Sequence, residues 1–375
     1  MSVKIKINQY LDENWTDELI QEIHRGEIID INKILPIVTP GNDLRRGLDE
    51  ILHGKLGALV VLGSNEELAP ILKGGFDLDI PFSSQKLFEL SKMDGAIILS
   101  NDLKRITGAN KHLMPDKEVP SSETGMRHRS AEQTAIQSNL PVIAISHRRS
   151  IISLYFRDQK YVLQDPSFLT VKANYSLNNL KDYRQKIDSN LNKLLYSEFN
   201  LPTKVFDQVI EIIQKILYFF KHGEEMEKIV VELGNQGSDI SQTLSETTFG
   251  LDEELSLLLM DYSQKPITKK EAEEKVEYLL QLGVRKITDK NILINSCEIE
   301  NKDSRGYRIL YKIPKLDFET IDKLIKTKKT ISNIKSCSAG QLALIDGLNS
   351  NKAKYILSQL NRLNEDILED EFNFQ

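Results

Sequence analysis

The period of the apolar residues changes once along this 375-residue chain, near residue 165, and that change limits the fold more than any other feature. Ahead of it lie short β-branched runs bounded by Gly, Asp, Pro or Ser, the pattern of strands. Residues 57–62, 94–99, 141–146, 151–156 and 160–163 all carry it. Residues 43–53 and 83–92 alternate with these strands and have helical spacing, each starting at or just behind a residue able to cap a helix. This alternation predicts an α/β sheet domain. Arg157-Asp158-Gln159 alone separates the last two strands, so they form a hairpin and the sheet is mixed rather than wholly parallel.

Beyond residue 165 the apolar residues recur at three and four. Phe206, Val209, Ile210, Ile213, Ile216, Leu217 and Phe220 make one helical stripe, and Leu255, Leu258 and Leu259 continue it. No acid pair, His cluster or Gly-rich loop interrupts this helical spacer, and Asn235-Gln-Gly-Ser238 reads as a turn. A third region opens near Arg305-Gly-Tyr-Arg308 and predicts short helices over 318–326, 338–345 and 350–360, the last two joined by Asp346-Gly-Leu-Asn349. The expected divisions are an N-terminal extension (1–26), the α/β domain (27–165), the all-α spacer (166–302) and the C-terminal module (303–375).

The longest apolar runs, such as 57–63 and 96–99, are strand-length, which predicts no membrane span. Residues 1–10 alternate Lys with apolar residues and lack a cleavable signal pattern, so the cytoplasm is the expected compartment. Cys297 and Cys337 stand forty residues apart, without zinc-site or disulfide spacing, and read as reduced thiols. The net charge of −6 is uneven. Between Lys302 and Lys354, twelve Lys or Arg face five Asp or Glu, a surplus of seven that leaves −13 for the rest. A basic module on an acidic chain fits a polyanion partner, and equally a solvated Lys-rich face.

The densest chemical signal is Pro120-Ser-Ser-Glu-Thr-Gly-Met-Arg-His-Arg-Ser-Ala-Glu132. Ser, Thr and Gly ahead of a helix expected over 127–138 leave free amides at its start, and Arg127, His128 and Arg129 add donors and charge. Such a constellation suits a triphosphate, although the same residue types also make surface basic clusters. The second signal is Lys92-Met-Asp-Gly-Ala96 at the entry of a strand. There a carboxylate can ligate a metal or polarise a hydroxyl, while Gly and Ala let the backbone approach a base or ribose. Asp-Gly is also a common turn dipeptide. An acid beside a nucleotide and a basic helix start beyond it are the two ends that phosphoryl transfer requires.

In order and spacing, Asp94-Gly-Ala96, the loop Ala109-Asn-Lys-His-Leu-Met-Pro-Asp116, Pro120-Ser-Ser-Glu-Thr-Gly125 with Arg127-His-Arg129, and Ile143-Ala-Ile-Ser-His-Arg-Arg149 resemble the diadenylate cyclase domain of the DNA integrity scanning protein family. The resemblance covers nearly the whole chain: Val231-Glu-Leu-Gly234 falls in the spacer, Ser304-Arg-Gly-Tyr-Arg308 opens the tail, and the terminal hairpin resembles that family's helix-hairpin-helix DNA-binding domain. It implies condensation of two ATP into cyclic di-AMP and two diphosphates, by two cyclase domains of different subunits facing one another. Each nucleotide's 3′-hydroxyl would attack the other's α-phosphorus. It further implies Mg²⁺ or Mn²⁺, a homo-octamer held partly by the spacer, a nucleoid-associated cytoplasmic location, and branched DNA such as a Holliday junction as partner.

By the same resemblance Asp94 would bind the metal and help activate the 3′-hydroxyl, and Gly95 and Ala96 would lie against the nucleotide. Leu113 would line the adenine pocket. Met126, Arg127, His128, Arg129 and Ser130 would run along ribose and phosphates, with the arginines neutralising the triphosphate and His128 near the metal or α-phosphate. Ser146 would donate to a phosphate. In the tail, Lys312, Lys315, Gly347, Asn349, Lys352 and Lys354 would meet DNA. Two departures stand out. Met126 replaces the family's usual Thr, and Gly347-Leu-Asn349 replaces its Gly-apolar-Gly hairpin, with Asn expected to tolerate the positive φ. Met126 keeps a second reading open, a DNA-binding scaffold whose pocket only senses ATP. A generic α/β phosphotransferase lacks support, since neither a P-loop nor a dinucleotide-binding glycine pattern occurs.

Overall fold

The computed structural model describes Glu22, residues 30–201 and residues 205–373, the last stretch with side chains as far as Asp366. The expected N-terminal extension thus lies, except for Glu22, outside the described residues. The chain gathers into two compact units. Among the described residues, one is formed by 30–176 with 226–242, the other by 177–201, 205–225 and 243–373.

The first unit is built on an eight-stranded sheet. Its elements are α1 (Asp43–His53), β1 (Ala58–Leu62), α2 (Asn65–Leu68), β2 (Leu72–Lys73), β3 (Phe76–Pro81), α3 (Ser84–Leu90), β4 (Ala96–Leu99), β5 (Arg105–Leu113), α4 (Met126–Ser138), β6 (Val142–Ser146), β7 (Ile151–Phe156) and β8 (Gln159–Leu163). The strand order is β2-β5-β4-β1-β6-β7-β8, with β3 also on β5. β1 and β4 run parallel and the neighbouring pairs antiparallel, so the sheet is mixed as expected. Alternate residues of the central strands go to opposite faces. Ala58, Val60, Leu62, Ile97, Ile143 and Ile145 pack with Leu44, Leu48 and Ile51 of α1. Leu59, Val61, Ala96, Ile98, Val142 and Ala144 pack with Ala131 and Ala135 of α4. The sheet is therefore covered by helices on both faces.

Three strands were not expected. Residues 109–113, read as a loop, are the end of β5, whose Gly108, Asn110 and Lys111 lack β-propensity, and Asn110 sits at φ 53° in an irregular pairing with β4. β3 alternates Asp with apolar residues and ends in Pro81, a composition suited to a sheet edge. The β7–β8 turn has two residues, not three, because Gln159 pairs with Phe156. Val231-Glu-Leu-Gly234 belongs with this unit. Glu232 is buried and accepts from the Tyr161 hydroxyl (2.6 Å) and the Gln164 N–H (2.6 Å), while the Asn235 N–H donates to the Pro40 carbonyl (3.3 Å).

The remaining elements are helical: α5 (Pro166–Asn200), α6 (Val205–Leu233), α7 (Ser238–Thr248), α8 (Leu251–Tyr262), α9 (Lys269–Leu280), α10 (Val284–Thr288), α11 (Lys290–Cys297), α12 (Tyr307–Tyr311), α13 (Phe318–Lys328), α14 (Ile331–Lys335), α15 (Ala339–Leu342) and α16 (Ser350–Asn373). The predicted stripe is internal, with Val209, Ile210, Ile213, Ile216 and Leu217 buried. In the second unit one apolar core joins Leu195, Leu257 and Met260 to Tyr307, Leu310, Ile321, Leu342, Ile356 and Leu360. A polar clamp lies beside it. Arg308, wholly buried, pairs with Glu198, which also accepts from the Tyr262 hydroxyl (2.6 Å). Asp261 caps α12 by accepting the N–H groups of Gly306 (2.8 Å), Tyr307 (2.6 Å) and Arg308 (3.2 Å). Among the described residues no helix is long and apolar enough to cross a membrane. Cys297 and Cys337 are both free thiols, and burial pushes the former up to about 12.

Candidate functional site

The strand register collects most of the expected site residues at one end of the sheet. Leu59 pairs with Ala96 in parallel, which sets Gly57 beside Asp94. Ala58 pairs with Ile145 antiparallel, which sets Gly57 beside Ser146 at the end of β6. Ala96 pairs with Lys111 antiparallel, so Leu113 at the end of β5 comes level with Asp94. Arg127 joins them from α4. A Cβ built on Gly57 would lie 2.3 Å from Arg127 Nη1, so the guanidinium lies folded over that glycine.

Each side chain reaches this end for a local reason. Gly95 has φ +99°, and a Cβ there would fall 2.8 Å from the Asn110 carbonyl carbon, so only glycine lets the turn close against β5. Asp94 is then left exposed at the strand's mouth. Ala96 points into the core under α4, and Leu113 is half-buried against the same core. α4 opens on Gly125, whose lack of a side chain leaves the helix without a capping acceptor, so among the described residues no side chain takes its first amides. Glu132, one turn and a half along, accepts from Ser122 N–H (2.9 Å), Ser122 Oγ (3.0 Å) and the Ser121 hydroxyl, folding the preceding loop back onto the helix. Met126 is 88% exposed, Arg127 and Arg129 are exposed, and Ser130 and Ser146 are half-exposed.

His128 differs from its neighbours. Its ring is buried against the sheet, with Nδ1 2.9 Å from the Tyr155 hydroxyl. That hydroxyl donates to Glu123 Oε1 (2.9 Å), and Lys160 pairs with the same carboxylate oxygen. Burial holds His128 below the usual imidazole range; Glu123 opposes this, while the charges of Lys160, Arg149 and Arg127 add to it. Burial alone would raise the Glu123 carboxyl, but hydrogen bonds from Lys160 and Tyr155 outweigh it and bring the group below its ordinary value. Burial, then the bond to Glu123, drives the Tyr155 phenol well above its ordinary value. Gly57, Tyr155 and Lys160 were not singled out in the sequence. Glu123 stood inside the quoted motif, but its partners lie 32 and 37 residues away and no local pattern announces them.

In the C-terminal module the expected residues divide. Lys315 and Lys354 are exposed. Lys312 pairs with Glu254 (3.6 Å), and Lys352 donates to Asp317 (3.0 Å) and Thr320 (2.8 Å). Gly347 takes the positive φ of the hairpin, +83°. Asn349, expected to tolerate a positive φ, instead accepts the Lys352 N–H on its side chain (2.7 Å) ahead of α16, a capping role that glycine could not fill.

A glycine-floored strand mouth, a guanidinium laid over it and an open helix start define a nucleotide-binding domain. The sequence model for the DisA bacterial checkpoint controller nucleotide-binding domain, DAC, matches residues 45–160, and that for the DisA bacterial checkpoint controller linker region matches 163–304. The chain is similar to the DNA integrity scanning protein DisA of Clostridium tetani, 38% identical over 340 residues that cover 90% of this chain and 94% of that one. It is 36% identical to the Clostridium botulinum (strain Eklund 17B) protein, covering 90% and 96%, and 37% identical to that of Carboxydothermus hydrogenoformans, covering 88% and 96%. The chain belongs to the DNA integrity scanning protein DisA family, and its enzyme class is diadenylate cyclase.

Proposed function

We propose that the sheet unit binds one ATP at the end where Asp94, Gly57, Ser146 and Leu113 line up, and that two such units facing one another convert two ATP into cyclic di-AMP and two diphosphates. The carrying observation is the register that brings these residues together with Arg127 over Gly57. In this reading Leu113 meets the adenine, Gly95 and the backbone of Ala96 meet the ribose, and the free amides of α4 with Arg127, Arg129 and Ser130 hold the triphosphate. Ser146 donates from the opposite strand, and Met126 lies along the ribose. In-line displacement at phosphorus is served by such positioning and charge neutralisation more than by covalent help.

A divalent cation, Mg²⁺ or Mn²⁺, belongs to this reading. Among the described residues no three His, Cys, Asp or Glu side chains gather to hold one. A single exposed carboxylate, Asp94, fits an ion that arrives on the nucleotide's own phosphates. Bound there, it would neutralise phosphate charge. His128 is turned into the protein, with Nδ1 on the Tyr155 hydroxyl, and does not flank the phosphates.

The wider assembly is also part of the proposal: an α/β cyclase domain (27–165), a helical linker that helps form a homo-octamer (166–302), and a helix-hairpin-helix domain (303–375) that meets branched DNA through Lys315, Gly347, Asn349 and Lys354, with Lys312 and Lys352 behind them. Its setting is the cytoplasm, near the nucleoid. The test is incubation of the purified full-length protein with ATP and Mg²⁺ or Mn²⁺, followed by chromatography. Cyclic di-AMP is expected, and Asp94→Asn should abolish it while leaving the oligomer intact. ATP bound without product would favour the ATP-sensing scaffold instead, and a rate that stays flat on adding a four-way junction would remove the coupling to DNA.

A further inference from the structure

We infer that Glu123 and Tyr155 are positioning residues that fix His128 as its Nδ1–H tautomer, so that the Nε2 lone pair is kept for a hydrogen-bond donor on the bound nucleotide; the last clause rests on the cyclase reading.

A tyrosine hydroxyl has a single proton and an ionised carboxylate can only accept. Glu123 is nearly buried, and Lys160 pairs with the oxygen that Tyr155 also reaches, so the carboxylate is ionised and takes the phenol's proton. The phenol oxygen then has only lone pairs left to offer Nδ1, and at 2.9 Å the bond exists only if Nδ1 carries the hydrogen. In a neutral imidazole the other nitrogen is then an acceptor. Nε2 is that acceptor. It is buried and has no hydrogen-bond partner among the described residues. Buried polar atoms in folded proteins are rarely left so, and the missing partner must be a donor. His128 lies in the first turn of α4, two residues after Met126, which lies along the ribose in the cyclase reading, so the ribose hydroxyls are the donors at hand. Nothing in the fold requires Tyr155 to be a phenol rather than a phenylalanine: its ring packs with Ala131 and Ala135, and its hydroxyl alone serves this chain of bonds.

The experiment uses full-length protein labelled with ¹⁵N-histidine and solid-state spectra of its six histidines, with the His128 signals assigned by their loss in His128→Gln. The expected wild-type spectrum shows a protonated Nδ1 and a bare Nε2, and Nε2 moves upfield when a non-reactive ATP analogue binds. Tyr155→Phe should transfer the proton largely to Nε2 and lower kcat roughly 10- to 100-fold, with KM for ATP changed by less than about threefold. A wild-type Nε2–H tautomer overturns the inference without needing any folded variant. An Nε2 signal indifferent to the analogue overturns its nucleotide half, leaving an ordered water as the partner. Failure of the parent reading looks different: an Nδ1–H spectrum from a protein that never makes cyclic di-AMP removes the cyclase and leaves the positioning chain standing.

Discussion

Gly57 offers the sharpest test of how the site is assembled, because its substitution acts on the Arg127 guanidinium without touching the core. An added Cβ would stand 2.3 Å from Arg127 Nη1, 2.9 Å from Cζ and 3.2 Å from Nη2, so the guanidinium must retreat by about 1 Å to regain ordinary contact. Arg127 makes no hydrogen bond among the described residues, and its exposed end can swing into solvent, so the fold need not yield. The Tm of Gly57→Ala and Gly57→Val should stay within about 3 °C of wild type. ATP affinity should not. A charge-assisted hydrogen bond to phosphate contributes about 1.5–3 kcal/mol, so its loss weakens binding roughly 10- to 150-fold, with Ala near the lower figure and Val near the upper. Titration with a non-reactive ATP analogue reads the affinity directly. Gly63 supplies the opposite control: its added Cβ would strike Leu140, a buried side chain, at 2.4 Å, so Gly63→Ala should lower Tm and leave ATP affinity alone. Wild-type ATP affinity in a folded Gly57→Val would refute the placement of Arg127.

Two further outcomes concern the clamp of the second unit. Arg308→Met strands the buried Glu198 carboxylate without its partner and should destabilise the protein by about 3–5 kcal/mol, read from denaturant unfolding; a change below about 1 kcal/mol would mean that the pair is not desolvated as the structure has it. Complete burial, and then the Glu198 charge, push Asp261 up to about 7 from 3.8, against the pull of Arg308 and the backbone N–H groups. The folded state therefore binds a proton that the unfolded state releases, and the stabilisation, full below about pH 3.8, is lost as pH rises through about 7. The stability of wild type relative to Asp261→Asn should fall as pH rises across that window, and a constant difference would contradict the assignment.

How much of this was legible in the sequence depended on whether the deciding partner was near in the chain. α1 matched the expected bounds, and α4 began one residue before its own, because periodicity and helix starts are local signals. β5 was not legible. Its polar residues form a strand only because β3 and β4 flank it, and no local preference reports a neighbouring strand. The same holds at the site. Arg127, His128 and Arg129 read as one basic cluster, yet the structure gives them different surroundings: Arg127 lies over Gly57, Arg129 is exposed, and His128 is turned inward to Tyr155. Helical geometry separates consecutive residues by about 100°, so neighbours in such a triplet take different surroundings even when they serve one ligand.

The basic surplus of residues 302–354 shows the same principle with the opposite sign. Charge counted along a sequence treats every Lys and Arg as surface, but Arg305 and Arg308 are buried in the clamp and Lys302 donates to the Ser263 carbonyl. Lys323 and Lys326 are matched by Glu319 and Asp322 one turn away. What remains to face a polyanion is smaller and more localised, with Lys315 exposed just ahead of α13 and Lys354 exposed near the start of α16. This bears on how the module should be removed. Cutting the chain at 303 would take Arg308 from Glu198 and the capped amides from Asp261, leaving two buried carboxylates bare, so such a truncation should unfold the second unit rather than excise a DNA-binding part. Lys315→Ala with Lys354→Ala avoids this, because neither side chain has an acidic partner among the described residues. In that double variant the Tm should hold, while the salt dependence of DNA affinity should flatten by about one unit of slope per lost phosphate contact.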